Sequence, residues 1–228
     1  RALGDLARER WFRATWERTR PDHVDSDPWP DGVIPDLQDV PVGVSRTEPR
    51  WAGRREVREI EILHPEAIRR AKKLIYFENQ YFTAPRIAAA LAKRLEEPDG
   101  PEVVLISTGQ SPSWFDHWTM DTTRSEVLYR LEQADRHDRF HAFSPMTENG
   151  ARLIVHAKVS VIDDQVLRIG SANLNNRSMG FDTECDVAVE PGTEQGEAAI
   201  RNLRQTSIAH FIGAPTEAYR MAEELTGS

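Results

Sequence analysis

Cysteine, lysine and long apolar runs are all scarce in this sequence. The single cysteine, Cys185, has no partner for an internal disulfide, and one thiol is not a zinc framework. Lysine occurs only as Lys72, Lys73, Lys93 and Lys158; every other basic residue is arginine. No apolar stretch approaches the ~20 residues needed to cross a bilayer. Excess positive charge is missing as well. A net charge of -8 argues against a surface built throughout to hold a polyanion, so no nucleic-acid partner is expected. That balance leaves room for a local basic pocket. There is no glycine-rich phosphate loop of Walker or Rossmann spacing, no low-complexity tract and no internal repeat. The chain opens on Arg1 rather than methionine, so it is expected to start inside a longer parent, with any targeting segment upstream.

What is present is 228 residues, enough for one sizeable domain. Leu3, Leu6, Ala7, Trp11, Ala14 and Trp16 recur at roughly helical spacing, which predicts a helix with an apolar packing face over residues 1–20. Residues 21–39 are rich in Asp and Pro and read as a connector. Val40 to Val44 has the composition of a short strand, and residues 45–55 are irregular. Residues 1–55 are therefore expected to be a trailing helix and linker, with the domain proper at 56–228.

From there the pattern becomes regular. Pro65 is read as a helix start, with Ile68, Ala71 and Leu74 at helical spacing. Leu74–Phe77 and Val103–Ile106 are expected buried strands around an amphipathic helix at Ile87–Leu95. A helix is expected near 120–136 and a short strand at Phe140–Phe143. Leu153–Ile162 and Val166–Ile169 should pair across a turn at Asp163-Asp164. A strand at Cys185–Val189 leads to helices near 194–211 and 215–225. Near-continuous apolar strands alternating with helices predict a layered α/β domain with helices on both faces of the sheet.

The chemistry concentrates between His156 and Asn173. His156 and Lys158 are two apart, so in an extended strand both side chains share one face. Imidazole titrates near neutrality and suits nucleophilic or acid/base work. Lys158 supplies fixed positive charge, while Ser171 and Asn173 offer hydrogen bonds. Such a set would neutralise charge developing on a five-coordinate phosphorus. With Lys already providing charge, and without paired ligands, neither a metal nor another cofactor is expected. Glu184 is the candidate to hold the second imidazole nitrogen and favour the protonated ring. Glu78, Asn79 and Gln80 end a strand and are candidate pocket lining. Trp114, in a loop with Phe115 and Trp118, suits a lipid interface or an acyl groove. Arg54-Arg55, Arg69-Arg70 and Lys72-Lys73 read as solvated charge.

His156-x-Lys158-x4-Asp163-x6-Gly170-Ser171-x-Asn173 resembles the HKD signature of the phospholipase D superfamily. Leu74 to Phe82, Asn173 to Gly180, Asp182-x-Glu184 and the helix end near Gly213 extend the resemblance over roughly residues 56–213. It implies a layered α/β/α half-domain with a mixed central sheet. It also implies catalysis through a phosphohistidine on one His, while a second His protonates the leaving alcohol. The strand before the motif is similar to the one preceding the second copy in two-copy enzymes. That assigns His156 the acid/base role, phosphate binding to Lys158, Ser171 and Asn173, imidazole orientation to Glu184, and a mainly structural place to Asp163.

Only one such motif is present. The leading expectation is a C-terminal half of a phospholipase D-like phosphodiesterase that hydrolyses phospholipids or exchanges their head groups. Its partners would be a phospholipid substrate, a membrane surface and an N-terminal HKD half, or else a second subunit. Rival readings are a cardiolipin synthase-type phosphatidyltransferase, a one-HKD dimeric nuclease, and a non-catalytic lipid-binding module. A cytoplasmic or peripheral-membrane location is expected over an integral one.

Overall fold

The computed structural model describes residues 1–20, 29–109 and 122–226. The chain divides into two compact units, Arg1–Gln38 and Asp39–Ser228. The first holds α1 (Ala2–Thr15), which ends at Trp16 in a left-handed turn whose N–H bonds to Phe12 O at 2.8 Å. The helix forms as expected, and no residue of it is buried.

The second unit is built on one eight-stranded sheet, in the order β2-β1-β8-β7-β6-β3-β4-β5. Its strands are β1 (Val42–Glu48), β2 (Val57–Arg58), β3 (Leu74–Asn79), β4 (Glu102–Ser107), β5 (Phe140–Phe143), β6 (Lys158–Ile162), β7 (Val166–Gly170) and β8 (Glu184–Val189). β3, β4 and β5 run parallel, and every other pairing is antiparallel, so the sheet is mixed. Among the described residues the helices of this unit are α2 (Glu59–Arg70), α3 (Pro85–Leu95), α4 (Thr122–Ala134), α5 (Asn176–Gly180), α6 (Glu194–Ile212) and α7 (Thr216–Thr226).

Three sequence expectations change here. β1 pairs with β8 along six register positions from Val42–Val189 to Thr47–Glu184, so residues 42–48 belong to the sheet rather than to a linker ending at 55. The strand expected at Val40 to Val44 is longer than its composition suggests, because only Ser45 and Thr47 are buried along it and both are polar. Pro65 lies inside α2, not at its start. Ile60, His64 and Ile68, four apart and buried, carry the helix through the proline although one backbone hydrogen bond is lost there. Finally, β6 begins at Lys158, and residues 153–157 approach it outside any strand.

Alternation along β3 separates the two faces of the sheet. Phe77 packs with Ile60 and Ile68 of α2 and with Ile87 and Leu91 of α3 in the main core cluster. Each such fully buried side chain contributes about 1.5–3 kcal/mol. Tyr76, one residue away, points to the opposite face, where its hydroxyl interacts with Ser207 of α6. The result is a layered α/β/α domain.

The β6–β7 hairpin turns on two residues, Asp163 (φ 53°) and Asp164 (φ 55°), closed by Gln165 N–H to Ile162 O at 2.9 Å. Both central residues at positive φ define the mirror-image turn that matches strand twist, and Asp tolerates it. Their carboxylates are then used twice over. Asp163 accepts the N–H groups of Lys72, Lys73 and Leu74 at 2.7, 2.7 and 2.9 Å, capping the entry to β3. Asp164 receives Arg204 in a two-pronged contact at 2.7 and 2.9 Å, together with Arg201 at 3.2 Å.

Candidate active site

Strand direction places the chemistry. β3 and β7 end where β6 and β8 begin, with Asn79 opposite Lys158 and Gly170 opposite Asp186. One edge of the sheet therefore collects Asn79, Lys158, Ser171 and Glu184, although they are up to 105 positions apart in the chain (184 minus 79). His156 lies exposed immediately before that edge. Asp163 does not belong to this group. It closes the far end of β6, five residues from Lys158, roughly 16 Å away at strand rise. The sequence spacing that suggests a shared site reflects one strand carrying both ends of the motif.

Lys158 is 9% exposed. Its ammonium donates to the His156 carbonyl oxygen at 2.9 Å. Burial lowers its pKa from the usual lysine range, and the charge of Glu184 partly opposes that drop. Glu184 is itself buried and accepts the Ser171 hydroxyl hydrogen bond. The same hydroxyl oxygen accepts Cys185 N–H at 3.0 Å. Glu184 therefore serves the Lys158 and Ser171 pair. The expected bond from Glu184 to the His156 ring is not formed, and among the described residues that ring makes no hydrogen bond.

Asn173 is half-buried, and its side-chain oxygen is fully buried with no partner among the described residues. An unsatisfied buried amide atom costs about 1–3 kcal/mol, and such atoms concentrate at functional sites. Exchanging the oxygen and nitrogen of the amide leaves its shape unchanged, so the same position can present an N–H to an incoming acceptor.

The turn carrying Ser171 and Asn173 is held from two sides. Asn79 accepts Leu174 N–H at 3.0 Å and donates to Ala172 O at 3.4 Å. On the other side Asp186 accepts Ala172 N–H at 3.1 Å. Asp186 is paired with Arg168 at 2.8 Å, both buried, and Arg168 also donates to Ser160 Oγ at 3.2 Å. Burial lowers the Arg168 pKa to about 10 despite the carboxylate beside it. Gly170 is required at its position: a Cβ there would overlap the Asp186 carboxylate and come within 2.6 Å of Asp186 Cα.

The other predicted residues separate. Glu78 faces the opposite side of β3 and accepts the Tyr76 hydroxyl at 2.8 Å; burial, then this carboxylate, raise the Tyr76 pKa. Asn79 and Gln80 are buried. Asn79 clamps the turn, and Gln80 donates to Tyr81 Oη at 3.3 Å. Each of the three thus takes part in a hydrogen bond of its own. Trp114 lies outside the described residues. Cys185 is half-buried. The reading from sequence missed Arg168 and Asp186, although a charge inside each of two largely apolar runs is visible, Arg168 in Val166–Gly170 and Asp186 in Cys185–Val189. Cavities of about 440 Å³, under α2, and about 550 Å³, beside Asp163 and Asp164, open away from Lys158 and Glu184. No helix among the described residues is long and apolar enough to cross a membrane.

A mixed sheet layered by helices is a fold shared with solved structures. Phosphatidylserine synthase from Haemophilus influenzae superposes with a TM-score of 0.59 at 15% identity, over 91% of this chain and 45% of that one. Nuc, a phospholipase D family member from Salmonella typhimurium, gives 0.53 at 18% identity, over 72% and 91%. A family profile described as cardiolipin synthase, PLD-like domain, matches residues 65–203, more than half of the chain. The chain belongs to the phospholipase D-like family. Phospholipase D A from Dictyostelium discoideum is 27% identical over 187 residues, 65% of this chain and 15% of that protein. This chain thus spans a small part of that relative. At family level it is a domain of phosphodiesterase or phosphatidyltransferase type.

Proposed function

We propose that this chain is the C-terminal HKD half of a phospholipase D-type enzyme that hydrolyses phospholipids or exchanges their head groups. The observation that carries this reading is the edge cluster: Lys158, Ser171 and Glu184 in mutual contact or charge interaction, with His156 exposed in front. Lys158, Ser171 and Asn173 grip the phosphate oxygens and stabilise the charge that builds on phosphorus. A histidine from the other half attacks phosphorus, forming a P–N bond as the bond to the head-group oxygen breaks. Protonated His156 gives that oxygen its proton. His156, now neutral, takes a proton from water or an alcohol, whose oxygen displaces the histidine and breaks the P–N bond. Glu184 holds Ser171 and supports the charge on Lys158. No step calls on a metal or cofactor. A net charge of -8 favours a lipid phosphodiester over a nucleic acid.

The test is choline release from phosphatidylcholine vesicles. The chain alone should be inactive, and a longer polypeptide that adds a second His-x-Lys-x4-Asp half should turn over. In that polypeptide the trapped phosphohistidine should map away from His156. Turnover by the chain alone, abolished by His156→Ala, would instead mean that two copies complete the site.

A further inference from the structure

We propose that Arg168 and Asp186 act as a positioning pair for the turn that carries Ser171 and Asn173, setting where the phosphate grip points. The inference rests on reading those residues as a phosphate grip, and its reach is to two side chains that touch no substrate.

The pair is built in a way that a plain internal ion pair is not. Asp186 divides its two oxygens: Oδ2 takes the Arg168 guanidinium at 2.8 Å, and Oδ1 takes Ala172 N–H at 3.1 Å. Arg168 is fixed in turn by Ser160 Oγ at 3.2 Å, on the strand that carries Lys158. The two carboxylate oxygens are rigidly related, so the guanidinium that orients one orients the other. Ala172 lies between the two gripping residues, so the angle of its peptide sets both side-chain directions. Its carbonyl is held independently by Asn79 at 3.4 Å. The line Lys158, Ser160, Arg168, Asp186, Ala172 thus ties the ammonium to the hydroxyl and amide through the inner face of three strands.

A structural role alone predicts something different. If the pair only holds strands together, replacing both charges with apolar groups should leave the turn unchanged, since such replacements are often neutral or stabilising. If it positions the turn, removing the acceptor for Ala172 N–H must loosen the grip even in a stable protein.

Two double variants separate these cases. Arg168→Leu with Asp186→Ala removes both charges and the acceptor. Arg168→Leu with Asp186→Asn removes both charges but keeps an oxygen for Ala172 N–H. The readouts are inorganic phosphate affinity by titration and hydrogen exchange of the Ala172 amide by NMR. The alanine variant should bind phosphate about tenfold more weakly than the asparagine variant, the equivalent of about one neutral hydrogen bond. Its Ala172 amide should exchange faster, and Lys158→Met should abolish phosphate binding in any background. Equal phosphate affinity and equal Ala172 exchange in the two double variants would overturn the pairing. Phosphate binding indifferent to Lys158→Met would sink the grip itself, while Ala172 exchange would still judge the pair. Should either double variant fail to fold, Arg168→Lys keeps the charge but loses the fork. It should speed Ala172 exchange several-fold, and an unchanged rate would count against positioning.

Discussion

The two ends of β6 are made of similar polar residues in opposite states. At the Asp163–Asp164 end all four carboxylate oxygens are occupied, by three backbone N–H groups and two arginines. At the Lys158 end Asn173 keeps a buried oxygen with no partner among the described residues, the His156 ring makes no hydrogen bond there, and Lys158 sits with its charge disfavoured. One end is spent on the fold. The other is left incomplete.

Substitutions at the two ends should therefore separate catalysis from stability. The largest effect is expected from Lys158→Met or His156→Ala, which should cut turnover in a completed enzyme by at least about a thousandfold, with little change in unfolding midpoint. A comparable loss from Asp163→Asn would break the comparison.

At the other end, Asp164→Ala leaves the Arg204 guanidinium, whose side chain is 4% exposed, without its two-pronged partner. Glu223 still accepts from Arg204 at 2.6 Å, so denaturant unfolding should show a loss of about 2–3 kcal/mol, with phosphate affinity unchanged at temperatures where the variant is folded. Asp163→Ala removes one acceptor group for three N–H donors and should cost about 2–3 kcal/mol by the same measurement.

The smallest effect sharpens the picture of the site. Burial holds the Lys158 pKa below 10.5 and Glu184 raises it, so Glu184→Gln should lower it further. With only four lysines in the chain, its side-chain NMR signals can be followed directly through a pH titration. The sign for stability follows from linkage. Between the depressed folded value and the unfolded one the unfolded chain binds more protons, so this group makes stability rise with pH across that window. Glu184→Gln should widen the window toward lower pH. A Lys158 pKa that stays put or rises would exclude the charge interaction.

Much of this was legible in the sequence because its signals are local. Apolar runs gave β3, β4, β6 and β7, and the double Asp gave the turn. What escaped was set by neighbours in space. β1 shows only in part, in the strand-like Val40 to Val44, because its buried positions are the polar Ser45 and Thr47 and its place in the sheet comes from pairing with β8. Pro65 reads as a helix start because its usual place is the first turn, yet the buried stripe of Ile60, His64 and Ile68 overrides it. Asp163 belongs to the motif by spacing, yet the strand between it and His156 holds the two apart, in keeping with the mainly structural place the resemblance implies. Arg168 and Asp186 look like faults in two apolar strands until the register brings them together.

The grip is also the product of a short stretch of chain. β6, β7 and β8 follow one another as an antiparallel meander, and Ser171 meets Glu184 across only 13 positions. Asn79, which completes the clamp on Ala172, comes from 93 positions away. Local pairings close small loops and form early, whereas distant ones wait on the closure of large loops. Pulsed hydrogen exchange during refolding should therefore protect the amides of the meander before that of Leu174. A nascent domain would then hold its lysine, serine and glutamate together before it could aim them.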